Sequence, residues 1–346
     1  MLTLESLLRS LPDRPDGREL LEAFVPPPRF AEKRFDNFRP DTRYPSQRHA
    51  LERLRGVAAE LREGSLDGWM RRVRVTLGAR PRGSGVYLDG GFGVGKTHLL
   101  AALWNAAPAP KSFLSFDELV YTIGLLGVGP TREVFQGQRL VAVDEWELDD
   151  PGNLKLALAF LRGALEDGIR VVTTSNTVPD ELGRGRFSQK DFAAEIEELA
   201  GAFEVVRIQG EDFRHRHFRA NPGVEYFLPP DELARRAREA GAGALHVGFD
   251  GLLAALREVH PIRYTALAER IGALFVEAVR PVDQLPDALR WVHFVDKVYD
   301  DAVPLAASSG VPLGALFPGD FVRGPYGKKF SRCLSRMEEL LAERAE

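Results

Sequence analysis

The sequence predicts an α/β protein built on a parallel five-stranded sheet with helices on both faces, followed by a smaller C-terminal α/β domain. Two observations carry that prediction. Between Gly85 and Gly210, short apolar runs alternate with stretches of helical periodicity, and continuous apolar strands between helices mark a parallel sheet covered on both sides. The first of those runs then passes directly into "DGGFGVGKTHLL" (89–100), a glycine-rich turn from strand to helix of the kind that cradles phosphate.

The elements follow in order. Residues 1–29 read as a loosely attached N-terminal extension, a helix and then "VPPPRF", whose prolines make a stiff connector. A turn-rich segment, "RFDNFRPDTRYPSQRHALERL", leads to Pro45, a good first helical residue, and a helix to about Leu61. "GVYLD" is a strand, "KTHLLAALWNAA" a helix, "KSFLSF" a strand, and "DELVYTIGLLG" helical. "QRLVAVDE" and "IRVVTTSN" are buried strands on either side of "PGNLKLALAFLRGALEDG", a helix with Pro near its start and Gly168 just past its end. "DFAAEIEELAG" is a helix and "FEVVRIQG" a fifth strand. The nucleotide-binding domain is thus expected over 30–210 and a C-terminal lid domain over 211–346. Within the latter, helical patterns at 231–240, 250–259 and 285–300 flank an apolar run at 272–278, and a strand-like "VPLAASS" and a final helix from about Lys328 to Arg344 follow. "LRGALEDGIRVVTTSNTVPDEL" (161–182) and "FVDKVYDDAVPLAASSGVPLGA" (294–315) align without gaps at an offset of 133, which also sets Glu277 against Asp144. That pattern is either a degenerate repeat or the common look of any helix–strand–turn unit.

Composition narrows the function classes. The chain has 346 residues, room for one large domain or two ordinary ones. Hydrophobic residues at 44% and charged residues at 28% are ordinary for a globular protein. A net charge of −4 supplies no overall basic field toward nucleic acid or anionic lipid. The one cysteine, Cys333, cannot form an internal disulfide, and no Cys/His cluster has zinc spacing. The N-terminus lacks a signal-peptide core, and no run approaches the roughly 18 apolar residues of a membrane span. These features read as a cytoplasmic protein.

The chemistry concentrates at the loop. Gly90, Gly91, Phe92, Gly93, Val94, Gly95, Lys96, Thr97 and His98 form the phosphate-loop segment. Glycines let backbone N–H groups turn inward around phosphate oxygens, and the following helix adds the positive end of its dipole. Lys96 is expected at the β- and γ-phosphates of ATP and the Thr97 hydroxyl on Mg²⁺. Asp144 and Glu145 close an apolar strand, where two carboxylates are costly unless a cation or hydrogen bonds use them. Asp144 is the second Mg²⁺ candidate and Glu145 the general base for an attacking water. Asn176 ends the next strand, on the ligand side of a parallel sheet, placed to orient that water. Arg186, with Arg184 beside it, lies in a basic loop beyond the strand and is the candidate for a cation delivered across a subunit interface. Arg332 and Arg336, four apart on one helix face, either sense nucleotide or sit on a solvated face with Glu338 or Glu339. Phe35 and Tyr44 are candidates for stacking on adenine, or for packing at the helix start.

These motifs, in the order phosphate loop, "VAVDEWELDD", "VVTTSNTVPDELG" and "GEDFRHR", resemble the ZapE-type AAA+ ATPases and their AFG-one-like mitochondrial relatives. The likeness extends from about 30 to 346, through "FVDKVYDDAVPLAASSGVP" and "FSRCLSRMEEL". It implies a P-loop NTPase fold of AAA+ type and ATP hydrolysis with Mg²⁺. It also implies a homo-oligomer when ATP is bound, and a protein partner in cell division, with the tubulin-like FtsZ as the candidate. The sequence departs from the family at Trp146 and Glu147, where Phe and Gln are usual, and at "GRFSQKDF", where Gln189 stands near the family's arginine. The loop is equally similar to replication initiators and helicase loaders. No DNA-reading helix-turn-helix follows 211, and the basic cluster Arg214, His215, Arg216, His217 and Arg219 is short, so no nucleic-acid partner is expected. The alternatives are a DNA-acting helicase-loader-like ATPase and a nucleotide-gated binding protein with little turnover.

Overall fold

Strands β1 (Gly85–Gly90), β2 (Lys111–Ser115), β3 (Leu140–Asp144), β4 (Arg170–Ser175) and β5 (Phe203–Ile208) form one sheet in the order β2-β3-β4-β1-β5, every pairing parallel. The structure is a computed structural model that describes residues 2–11, 17–63, 85–91, 93–146, 151–177, 193–211, 226–324 and 326–342. The sheet belongs to a unit spanning Pro15–His217, and a second unit takes in Phe218–Glu346 together with Met1–Arg14.

Alternation along the strands builds two cores in the first unit. Val86, Leu88, Ala142, Val172 and Ile208 face the helices Pro45–Glu63 and Lys96–Ala106. Tyr87, Val141, Val143 and Val171 face the helices Phe116–Leu126 and Pro151–Glu166. Each of these strand residues is 0% exposed except Ile208, at 2%, which explains why the central strands read as unbroken apolar runs. Burying one such aliphatic side chain contributes about 1.5–3 kcal/mol. The Phe116–Leu126 helix starts at a capping box, with Ser115 Oγ accepting from the Glu118 N–H and the Glu118 carboxylate accepting from the Ser115 N–H.

Register decides where the chemistry falls. Asp89 pairs with Ser175, and Ser115 with Asp144. The loop after β1, the carboxylate ending β3 and Asn176 after β4 therefore share the C-terminal edge of the sheet, where open parallel sheets bind ligands.

The second unit carries a three-stranded parallel sheet, β6 (Ala244–Gly248), β7 (Ala273–Val279) and β8 (Leu305–Ser309), in that order. The run at 272–278 and "VPLAASS" are its second and third strands. The five residues of β6, between glycine-rich turns, show no periodicity long enough to read from sequence. The N-terminal extension is divided between the units. Leu2 N–H donates to Ala244 O at 2.9 Å, and Leu7 and Leu11 join the second core. Leu20 and Phe24 join the first, where Phe24 O accepts from Phe113 N–H at 2.8 Å. Among the described residues no helix is long and apolar enough to cross a membrane.

Arg332 and Arg336 do not lie on a solvated face. Their side chains are 5% and 7% exposed and converge on Asp296, each with a contact of 2.6 Å. Arg336 also lies over the Tyr299 ring at 4.9 Å. Glu338 and Glu339 accept from the hydroxyls of Tyr226 and Tyr299. Cys333 is buried on the same Gly327–Ala342 helix, and burial pushes its thiol well above the ordinary range.

Candidate functional site

Two glycines of the loop are fixed by close approach. A Cβ on Gly90 would stand 2.3 Å from the Ile208 carbonyl of the neighbouring strand. Gly95, at φ 92°, is the N-cap of the Lys96–Ala106 helix, and a Cβ there would meet the Phe38 ring at 2.6 Å. Val94 is buried and packs on Gly210 just past β5. Lys96 is 8% exposed. Its ammonium donates to Gly90 O at 2.7 Å, Gly91 O at 2.6 Å and Asn176 Oδ1 at 2.8 Å. Its neighbour Thr97 donates from Oγ1 to Asp144 Oδ1 at 3.2 Å. Loop lysine, loop threonine, strand-end carboxylate and strand-end amide thus come together at one edge of the sheet.

Glu145 follows Asp144 in the left-handed region, at φ 54°, an uncommon conformation for a residue with a side chain. Thr174, 1% exposed, holds it there. Thr174 Oγ1 donates to Asp144 Oδ1 and accepts from the Glu145 N–H at 3.0 Å, while Thr174 O accepts from the Trp146 N–H at 2.7 Å. Trp146, at 0% exposure, anchors the turn against Phe116 and Phe203, with ring centroids 4.9 and 5.8 Å away. This position is therefore a core residue. Thr174 went unread because a threonine in an apolar strand looks like any β-branched strand residue.

The other candidates divide. Tyr44 lines a cavity of 540 Å³ beside the loop, with Asp89, Gly90, Arg207, Gln209 and Gly210. Phe35 is half-buried and packs against the first unit's core, with the Arg55 guanidinium 6.0 Å from its ring centroid. His98 turns toward the N-terminal segment, its Nε2 3.1 Å from Arg34 O and its ring edge-on to Phe38. Burial lowers its pKa, and the Lys33 charge acts in the same direction. Gln47, buried and unremarked in the sequence, accepts from Asp41 N–H at 2.8 Å and donates to Gln209 O at 3.0 Å, tying the segment before the helix to the end of β5. Phe92, Glu147, Arg184, Arg186 and Gln189 lie outside the described residues, as does the cluster 214–219.

The donor set fits a nucleotide carrying a hard cation. A threonine hydroxyl and an aspartate oxygen adjoin one another, oxygen ligands of the kind Mg²⁺ selects, and the ammonium sits at the mouth of a loop that opens a helix.

Comparison with known proteins identifies the family. A family model described as AFG1-like ATPase matches residues 26–234 and 228–345. The chain is similar to the cell division protein ZapE of Escherichia coli K12, 26% identical over 348 residues, covering 86% of this chain and 91% of that protein. The ZapE of Escherichia coli O157:H7 matches to the same extent. Similar solved structures include DnaI (17% identity, TM-score 0.39, 56% of this chain and 98% of that one). The DnaC helicase loader (16%, 0.37, 52% and 99%) and AMPPCP-bound DnaA from Aquifex aeolicus (15%, 0.37, 88% and 80%) are others.

Proposed function

This chain belongs to the AFG1-like ATPase family and is an ATPase, and on that premise we propose how the site works and what it serves. Lys96 and the N–H groups of the loop hold the β- and γ-phosphates of ATP. Thr97 and Asp144 hold Mg²⁺, which supplies charge neutralisation at the phosphates. Glu145 takes a proton from the attacking water, and Asn176 orients that water. The observation that supports this most directly is the pair of hydrogen bonds joining Lys96 to Asn176 and Thr97 to Asp144. The ammonium donates to two loop carbonyls and to Asn176. Binding phosphate exchanges those partners and releases Asn176 for the water. Tyr44 and the cavity beside it take the base.

ATP binding assembles a homo-oligomer in which Arg186, or Arg184 next to it, reaches the neighbour's γ-phosphate. The cycle remodels a protein partner in the cytoplasm, and the resemblance to a cell division protein makes FtsZ the first partner to test.

The test is ATP turnover per chain against protein concentration for wild type, Glu145→Gln and Arg186→Ala. We expect specific activity to rise with concentration and both variants to lose it, with Glu145→Gln still binding ATP. Turnover at background at every concentration makes the protein a nucleotide-gated binder. Stimulation by DNA and not by FtsZ moves it to the helicase-loader class.

A further inference from the structure

Part of the second unit repeats part of the first: β6-β7-β8 corresponds to β2-β3-β4 among the described residues. Residues 111–115 (β2) correspond to 244–248 (β6), a shift of 133, and the helix Phe116–Leu126 corresponds to Phe249–Glu258. At the same shift the helix Val128–Phe135 falls on Pro261–Arg263 and Tyr264–Ala268, β3 on the start of β7, and the Lys96–Ala106 helix on Pro230–Glu239. After β7 the shift becomes 134. The helices Pro151–Glu166 and Leu285–Asp300 then match residue for residue, and β4 matches β8. The offset of 133 expected for this half is thus one residue short, the extra residue lying between β7 and the next helix.

The correspondence reaches individual bonds. Lys111 pairs with Leu140 and Ala244 with Ala273; Val141 pairs with Val171 and Leu274 with Leu305. Arg139 N–H donates to Pro110 O at 2.8 Å, and Gly272 N–H to Gly243 O at 2.8 Å. Ile169 N–H donates to Ala164 O at 2.9 Å, and Val303 N–H to Val298 O at 2.9 Å. Most telling is the turn after the third strand. Glu145 and Ala278 both stand at φ 54°. The N–H of each donates to a hydroxyl on the next strand at 3.0 Å, Thr174 Oγ1 in one case and Ser308 Oγ in the other. A generic helix–strand–turn unit has no reason to share a left-handed non-glycine residue at the same position.

The chemistry has not survived with the backbone. At the shift of 133, "GGFGVGKT" (90–97) faces "GVEYFLPP" (223–230). Lys96 becomes Pro229 and Thr97 becomes Pro230, so the ammonium, the hydroxyl and two backbone donors are gone. Glu145 becomes Ala278. Asp144 becomes Glu277, whose carboxylate lies 2.8 Å from His246 Nε2.

We infer that Pro230–Ser309 is a degenerate second copy of the nucleotide-binding core, a relic that keeps the fold of an acidic-turn site and binds no nucleotide. Each chain therefore carries one nucleotide site. The one-site consequence rests on the proposed function above, and the repeat itself does not.

The experiment uses the full chain in two arms. In the first, titration calorimetry with ATPγS and Mg²⁺ gives one site per chain for wild type and none for Lys96→Ala. Two sites in wild type, or a site surviving in Lys96→Ala, overturns the relic. In the second, hydrogen exchange reads the Ala278 amide, expected to exchange about fivefold or more faster in Ser308→Ala, as loss of one hydrogen bond predicts. Unchanged exchange there overturns the shared turn. Should Ser308→Ala fail to fold, Ala278→Gly keeps the question open to test. Relief of the left-handed strain is expected to raise the melting temperature by about 2 °C, and a fall overturns the inference. If wild type binds no nucleotide at all, the proposed function fails while the second arm still decides the repeat.

Discussion

Thr174 joins two jobs in one hydroxyl. It donates to Asp144 and accepts from the Glu145 N–H, so it sets both the carboxylate's direction and the left-handed turn that aims the glutamate. The same turn at Ala278, which has no carboxylate to aim, is held the same way by Ser308. The hydroxyl, and not the glutamate, is what the turn requires. Thr174→Val is therefore expected to lower kcat about tenfold or more with little change in ATP binding, and Thr174→Ser to recover most of the loss. A change in ATP affinity with kcat intact would mean that Thr174 serves the loop instead. Glu145→Gln is expected to lower kcat by about 10²–10⁴, the usual worth of a positioned general base, with ATP binding retained; single-turnover measurements separate the two. That Lys96, Thr97, Asp144 and Asn176 come together at one sheet edge was legible, because their types and spacing match a phosphate-loop pattern and the ends of neighbouring parallel strands. Thr174 and Gln47 were not, because a buried hydroxyl and a buried amide act through neighbours distant in sequence, and spacing carries no trace of them.

The element that decides binding is the strand–loop–helix passage from β1 into the Lys96–Ala106 helix. Its geometry has two separable constraints at Gly95, a left-handed φ of 92° and the Phe38 ring where a Cβ would go. Gly95→Ala is expected to weaken ATP binding at least tenfold, because the helix N-terminus that presents its N–H groups must shift. Adding Phe38→Ala relieves the contact but not the φ, so the double variant is expected to recover only part of the affinity. Full recovery measured by calorimetry would assign the whole effect to the ring. At this scale the sequence was informative for long or strongly patterned elements. All five strands of the first sheet read correctly, because the short, β-branched-rich runs bounded by turn residues were too brief for helices, even in β5, where Glu204, Val205 and Arg207 are exposed. β6 escaped because five residues next to glycines carry too little pattern. The split of the N-terminal extension escaped because Leu2 pairs with Ala244 and Leu7 enters the second core only through contacts more than 200 residues away in sequence.

At the scale of the whole molecule, the two units differ in what holds them. In the first, Lys96, Thr174 and Ser175 are buried polar residues at the candidate site. The second, with no nucleotide groups left, buries an ion cluster, Asp296 between Arg332 and Arg336. Burial alone would raise the Asp296 pKa, but the two guanidinium groups overcome it and hold it at about 2, below the ordinary 3.8. A carboxylate with a depressed folded-state pKa stabilises the fold above its unfolded pKa, and that contribution is lost as pH falls through the folded value. The second unit is therefore expected to lose stability between about pH 4 and pH 2, read by hydrogen exchange within Leu285–Asp300. Asp296→Asn removes the carboxylate that both buried arginines contact at 2.6 Å, while Asp300 stays 3.7 Å from Arg336; breaking a buried pair in this way is expected to cost about 3–5 kcal/mol and to abolish that acid-dependent step. Removing the cluster altogether is a different matter. Buried ion pairs often trade evenly against apolar side chains of similar volume, so Asp296→Leu with Arg332→Met and Arg336→Met is expected to fold with stability close to wild type. That triple variant also separates support from sensing. If the arginines serve only the core of their unit, it binds ATP as wild type does. If either one reads the γ-phosphate, the triple variant stays folded and loses its preference for ATP over ADP.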